Sequence, residues 1–270
     1  MPLEDVRAFV FDIDGTLVHR TGAEEVHAIP GAREVLDRIA ASGRPFAVFT
    51  NGSHVPPDAF ASQLRAAGLP VADGQVLTPL CSVQSYLERF GGEARVLPFA
   101  TERARRYLDE AGIHLVDDPN GTKVDAVFVA HADRVDFEQL ERAARAVIGG
   151  ARLLTGSYVP AYAGADGPIL SRGAMITAAI AKAGSARPVV VGKPSQAAVR
   201  VMRQLLGVRS EEIAMVGDDF RLDVALGRLG RSTTVLVRSG ISVDLDLDRV
   251  PESQRPNLTI GTVAELLEWL

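Results

Sequence analysis

The chain has 270 residues and a formal net charge of −5, from 29 Lys+Arg against 34 Asp+Glu, a length that suits one large domain or two modest ones. With 47% hydrophobic and 23% charged residues it is too apolar for a disordered chain. The mild acidity excludes a nucleic-acid binder that works through a broad basic face, and leaves room for a small anion held by a few local donors.

Short apolar runs alternate with helical patterns from end to end, which predicts an α/β fold. Val6-Arg7-Ala8-Phe9-Val10-Phe11 reads as a buried strand stopping at Asp12. Pro30-Gly31 opens a helix with Val35, Leu36 and Ile39 on one side, closed by Gly43. Phe46-Ala47-Val48-Phe49 is the next strand, and Pro56-Pro57 starts a helix with Phe60 and Leu64 four apart. Arg95-Val96-Leu97 and Asp125 to Val129 read as strands, and 102–111, 136–148 and about 173–183 as helices. Between them lies a Gly-, Ala- and Tyr-rich loop from Gly156 to Gly167. Strands follow at Pro188-Val189-Val190-Val191, Ile213-Ala214-Met215-Val216 and Thr234-Val235-Leu236-Val237, with a closing helix from about Thr262. This rhythm predicts a Rossmann-like, doubly wound parallel sheet as a discontinuous core over 1–78 and 188–270, with an α/β cap domain inserted over 79–187.

Four polar clusters follow predicted strand ends: Asp12/Asp14, Thr50-Asn51-Gly52-Ser53, Lys193, and Asp218/Asp219/Asp223. In a parallel sheet such ends share one edge, where open α/β folds bind ligands. If strand geometry persists, Asp12 and Asp14 share a face, and two nearby carboxylates repel unless one holds a proton or both hold a cation. Taken alone, Asp12-x-Asp14-Gly15 reads equally as the Asp-Gly turn that ends a strand. Lys193 alone is an ordinary solvated lysine, and its place after three valines turns the reading toward a site. Asp219 reads either as part of the site or as a helix-start cap; Ser53 and Thr16 read as turn or cap residues. Gly192-Lys193-Pro194-Ser195 is no Walker loop: its first glycine would fall on Arg187, and Pro194 replaces the hydroxyl. The histidines have no paired ligand spacing, though His19 or His54 could line the cleft mouth.

Asp12-Ile13-Asp14-Gly15-Thr16 after an apolar strand resembles the first motif of haloacid-dehalogenase-type phosphatases. Thr50-Asn51-Gly52-Ser53 resembles their second motif, Lys193 in Gly192-Lys193-Pro194 their third, and Gly217-Asp218-Asp219-x-x-x-Asp223 their fourth. The order of the four agrees, and the insert resembles the class IIA cap of p-nitrophenyl-phosphatase and nucleotide-phosphatase relatives. The resemblance implies a Mg²⁺-dependent hydrolase of small phosphorylated metabolites. It makes Asp12 the nucleophile, forming an aspartyl-phosphate, and a metal ligand. Asp14 would offer its carbonyl to the metal and its carboxyl as general acid and then base. Asp218 would be the remaining carboxylate ligand, and Asp223 would orient Lys193 or a metal-bound water. The Thr50 hydroxyl and the Asn51 and Gly52 amides would hold phosphate oxygens, and Lys193 would offset their charge.

The cap would select the leaving group and exclude stray water. Its loop from Gly156 is a candidate lip, whose Tyr158 and Tyr162 either stack on a substrate ring or pack under the loop. Many class IIA members carry Asn-Pro-Asp where this chain has Gly156-Ser157-Tyr158. Arg172 reads as a surface residue or as an anion contact. The same core would also serve a phosphoryl-transferring mutase, or a non-catalytic module that binds Mg²⁺ and phosphate. The relatives leave open a homodimer formed through the cap. A single cysteine, Cys81, set in an apolar helical stretch, excludes an intramolecular disulfide and reads as a small core side chain. Met1-Pro2-Leu3-Glu4-Asp5 carries acids where a secretory signal carries bases, and no run approaches ~18 apolar residues. A cytoplasmic protein without membrane or nucleic-acid partners is the expectation.

Overall fold

The computed structural model describes residues 3–21, 25–91, 93–117, 123–162 and 169–270. Residues 163–167 of the candidate lip, Asp166 among them, lie outside the described residues. In chain order the elements begin with β1 (Ala8–Phe11), β2 (Val18–Arg20), β3 (Val26–Ala28), α1 (Ala32–Ala41), β4 (Phe46–Phe49), α2 (Pro57–Ala66) and β5 (Val76–Leu77). Then come α3 (Pro79–Leu87), β6 (Arg95–Phe99), α4 (Glu102–Glu110), β7 (His114–Leu115), β8 (Ala126–Val129), α5 (Phe137–Ile148) and β9 (Arg152–Thr155). The rest are β10 (Ala161–Tyr162), β11 (Ile169–Leu170), α6 (Arg172–Ala183), β12 (Val189–Val190), α7 (Gln196–Leu206), β13 (Ile213–Gly217), α8 (Ala225–Gly230), β14 (Thr233–Val237) and β15 (Leu258–Ile260).

Two compact units result: Met1–Thr50 with Pro57–Leu77 and Pro194–Leu270, and Asn51–Pro56 with Thr78–Lys193. In the first, a six-stranded sheet runs β15-β14-β13-β1-β4-β5, every pairing parallel. Numbered along the chain, that is the doubly wound order 3-2-1-4-5-6, which reverses direction between β1 and β13. Phe11 lies beside Val216 there, so the residues after both strands emerge as neighbours. All four residues of β1 are fully buried, as are all four of β4. That is why both strands read as unbroken apolar runs and not as alternating ones. Each buried phenylalanine of β1 contributes on the order of 1.5–3 kcal/mol of transfer free energy. Helix α1 turns Ala32, Val35, Leu36 and Ile39 to the core, the spacing of one helical face.

The second unit has a parallel sheet of order β12-β9-β8-β6-β7. Leu97, Phe99, Val127, Val129 and Leu153 alternate along its strands and pack with Ala143, Val147, Ile176 and Ile180 of α5 and α6. Here the expected organisation needs a correction. The sequence pattern assigns the run from Pro188 to the core, yet Val189 pairs with Leu154 and Val190 with Thr155, so β12 belongs to the inserted unit's sheet. Three consecutive valines state that a segment is buried and extended, and say nothing of which sheet it joins. The closing segment Val263–Trp269 is 3₁₀ instead of α, and Phe220–Val224 is a π-helical turn.

Candidate active site

In the first unit, β1 delivers Asp12 and β13 delivers Asp218 at the reversal of strand order, where the backbone N–H of Asp12 still donates to the Val216 carbonyl at 2.9 Å. The π-helical turn after β13 swings Asp223 back onto the same spot. One carboxylate oxygen from each of Asp12, Asp218 and Asp223 falls within 4.8 Å of the others. Asp218 is 6% exposed and Asp223 1%. The buried pair is anchored by backbone donors: Ile241 N–H to Asp218 Oδ2 at 2.6 Å, and Asp219 N–H to Asp223 Oδ2 at 3.0 Å. The loops close so tightly on Asp218 that a Cβ on Gly240 would stand 1.9 Å from its Oδ2, and one on Gly15 2.5 Å. Gly15, with φ +79°, also has a backbone that only glycine adopts without strain.

Three carboxylates this close repel strongly unless cations lie among them. The set is all oxygen, its atoms close enough for one divalent ion to reach all three, and this is the donor chemistry of Mg²⁺. The residues present therefore fit a metal ion.

The other acids are placed differently. The Asp14 carboxylate stands outside the trio: it is half exposed and accepts from Arg20 Nε at 2.5 Å. Arg20 belongs to the β2–β3 hairpin and is not singled out by the sequence, where five intervening residues hide the contact. The Asp219 carboxylate Oδ1 accepts from Arg221 N–H at 2.7 Å and Leu222 N–H at 3.2 Å, which makes it the cap of the π-helical turn. Asp223, read as an orienting residue, sits in the trio itself. Thr16 is fully buried, and its hydroxyl caps nothing among the described residues. Thr50 is 6% exposed at the end of β4, where its N–H donates to Leu77 at 3.1 Å.

In the second unit, the Asn51 side chain does what no local pattern foretold. Its Oδ1 accepts from the Lys193 backbone N–H at 2.7 Å, and its Nδ2 donates to the Lys193 carbonyl at 2.9 Å. An amide matched to both backbone groups of a residue 2% exposed fixes where the lysine leaves the chain. Gly192 makes this possible, since a Cβ there would lie 2.2 Å from the Gly156 carbonyl. Asn51→Ala should therefore cost about 2–4 kcal/mol, because two buried backbone groups lose their partner. On the expectation that Lys193 serves the reaction, turnover should fall about 10- to 100-fold through its misplacement. Denaturant midpoints and steady-state kinetics measure the two losses; parental values for both would refute the clamp.

Nearby in this unit, the His54 and His131 rings stand edge to face at 5.9 Å, and Thr101 Oγ1 donates to the His54 carbonyl at 2.7 Å. Asp133 contacts both His131, at 3.6 Å, and Arg172, at 3.2 Å, so Arg172 is tied to a carboxylate. Burial holds the His131 pKa below its ordinary value, against the pull of Asp133. The folded protein thus binds this proton less tightly than the unfolded chain does. The stability tied to neutral His131 is complete above the unfolded pKa of about 6.5 and is lost as pH falls below it. His131→Asn should flatten the decline in unfolding free energy between about pH 7.5 and 5.5. Equal slopes in variant and parent would contradict the assignment. Tyr158 and Tyr162 are 42% and 48% exposed, so neither is packed away beneath its loop.

The chain matches the haloacid dehalogenase-like hydrolase family over residues 9–114 and an HAD-hydrolase-like family over 190–266. It is 30% identical to ribonucleotide monophosphatase NagD of Escherichia coli over 261 residues, covering 97% of this chain and 98% of that one. It is 28% identical to dihydroxyacetone phosphatase of Corynebacterium glutamicum over 262 residues, covering 97% and 90%. The crystal structure of a 4-nitrophenylphosphatase from Thermotoga maritima superimposes with a TM-score of 0.87 at 25% identity, over 99% of this chain and 98% of that one.

Proposed function

The chain belongs to the haloacid dehalogenase-like hydrolases, and on that premise we propose that it is a phosphatase of small phosphate monoesters, with Mg²⁺ as the resident ion and Asp12 as the nucleophile. The observation that carries this reading is the trio of Asp12, Asp218 and Asp223, whose carboxylate oxygens lie within 4.8 Å at the reversal of the sheet. Relatives named as phosphatases, matched along nearly their whole lengths, support the reaction class. Asp12, Asp218 and Asp223 would hold the ion, which when bound supplies positive charge to offset a phosphoryl group carrying about two negative charges.

The chain's own groups then divide the work. An Asp12 carboxylate oxygen attacks phosphorus as the bond to the leaving oxygen breaks, and Asp14 protonates that oxygen. In the second step Asp14 takes a proton from water, whose oxygen attacks phosphorus and frees both phosphate and Asp12. Arg20, bonded to the Asp14 carboxylate, holds this acid in one orientation between steps. Lys193, positioned by Asn51, supplies a cation for the transferring group, and Thr50 with the Asn51 and Gly52 amides supplies donors to its oxygens. The inserted unit selects among leaving groups.

Triose phosphates and nucleoside monophosphates are the first substrates to assay, since the named relatives act on these classes. Phosphate release from a panel of phosphorylated metabolites and an aryl phosphate, with and without Mg²⁺, tests the proposal. Release that requires the ion supports it; none from any member with folded, Mg²⁺-loaded protein overturns it.

A further inference from the structure

The inserted unit's sheet repeats, on a smaller scale, the topology that gathers the acids. Taken along the chain, its strand order β7-β6-β8-β9-β12 is 2-1-3-4-5. After β6 the chain turns to one side, through α4 to β7; after β8 it turns to the other, through α5 to β9. The sheet therefore has its own reversal point between β6 and β8, and ligands of open parallel sheets enter at the carboxyl ends of strands at such points. A crevice of about 110 Å³, partly open to solvent, lies there, walled by the carboxyl-terminal end of β6 from Leu97 to Ala100.

Three arginines from three different elements line it: Arg105 of α4, Arg134 of the loop after β8, and Arg142 of α5. The Arg105 and Arg142 side chains are 25% and 36% exposed, so their charges stand partly out of water. Asp117, the one lining carboxylate among the described residues, is 80% exposed and pairs with Arg105. Arg142 meets Glu138 only at 3.9 Å, and Glu138 is 86% exposed. Among the described residues no carboxylate pairs with Arg134. Three arginines lining one crevice gather like charge there, and the anion that suits several planar donor forks at once is a phosphate or phosphoryl dianion. On a chain of net charge −5 this is a local reversal of sign.

We propose that this crevice is a second anion site, binding inorganic phosphate or the phosphoryl group of a metabolite through Arg105, Arg134 and Arg142. It is built wholly of residues from the inserted unit, and it stands whether or not Asp12 is a nucleophile. Equilibrium dialysis of the full-length protein against radiolabelled inorganic phosphate in EDTA tests it. One equivalent should bind to the parent. Arg134→Ala combined with Arg142→Ala should weaken that binding at least tenfold, about 1.4 kcal/mol. Lys193→Ala should leave it in place, which separates the crevice from any phosphate held near the aspartates. Hydrolysis of an aryl phosphate in Mg²⁺ should be unchanged in the double arginine variant. Should that variant fail to fold, Arg134→Glu alone, on an exposed loop, must abolish the binding. No binding by the parent up to about 10 mM phosphate, or equal binding by parent and arginine variants, overturns the proposal.

Discussion

Asp12→Asn is expected to remove phosphatase activity by on the order of 10⁴-fold or more while leaving the fold intact. That loss corresponds to about 5.5 kcal/mol of transition-state stabilisation. An amide oxygen carries no full charge and forms no stable bond to phosphorus, so the covalent route closes. The backbone is untouched: the Asp12 N–H keeps its bond to Val216, and β1 stays buried between β4 and β13. The substitution also removes one charge from three whose oxygens lie within 4.8 Å, relieving two of three like-charge pairs. At an effective dielectric near 20, each such pair repels by about 3–4 kcal/mol before screening by neighbouring cations. The metal-free variant should therefore melt no lower than the parent, and in EDTA it should melt higher. Hydroxylamine trapping during turnover should mark residue 12 of the parent and leave the variant unmarked. Parental activity in pure Asp12→Asn protein, or a covalent mark elsewhere, would reject Asp12 as the nucleophile.

Exhaustive chelation is expected to stop turnover and to lower stability together. An ion that binds only the folded trio stabilises it by about 2.7 kcal/mol at a hundredfold excess over its dissociation constant. Adding Mg²⁺ back should restore both activity and melting temperature with one concentration dependence. Asp218→Asn provides the selective test. Its side-chain oxygen can still accept from Ile241 N–H, so the loop keeps its anchor, but the trio loses a buried charge. The variant should need far more Mg²⁺ for the same rate and gain less stability from it. Full activity after chelation would sink the metal assignment and leave the separate trapping test of Asp12 untouched.

Much of this was legible in the residues because local pattern reports burial. Ala8-Phe9-Val10-Phe11 and Phe46-Ala47-Val48-Phe49 are apolar on both faces, since both faces of a parallel sheet are covered. Val35, Leu36 and Ile39 mark one helical face in the same way. The two acids that follow β1 and β13 were legible as well, because a polar residue just after a buried strand marks an edge of the sheet.

What local pattern does not carry is the partner. Two-residue strands such as β5 and β12 are too short to show a period, and only backbone pairing told that Val189–Val190 joins β9. Asn51 grips Lys193 from 142 positions away, and Arg20 reaches Asp14 only because the β2–β3 hairpin folds back. A π-helical turn, invisible in composition, brings Asp223 into the carboxylate trio while Asp14 stays beside Arg20. The chain's own pattern therefore determined the α/β class, the position of its buried strands and the chemical character of their polar ends. The tertiary structure decided which sheet each short strand joined and which charged groups met, because those outcomes depend on long-range packing and hydrogen bonding that no short window of residues contains.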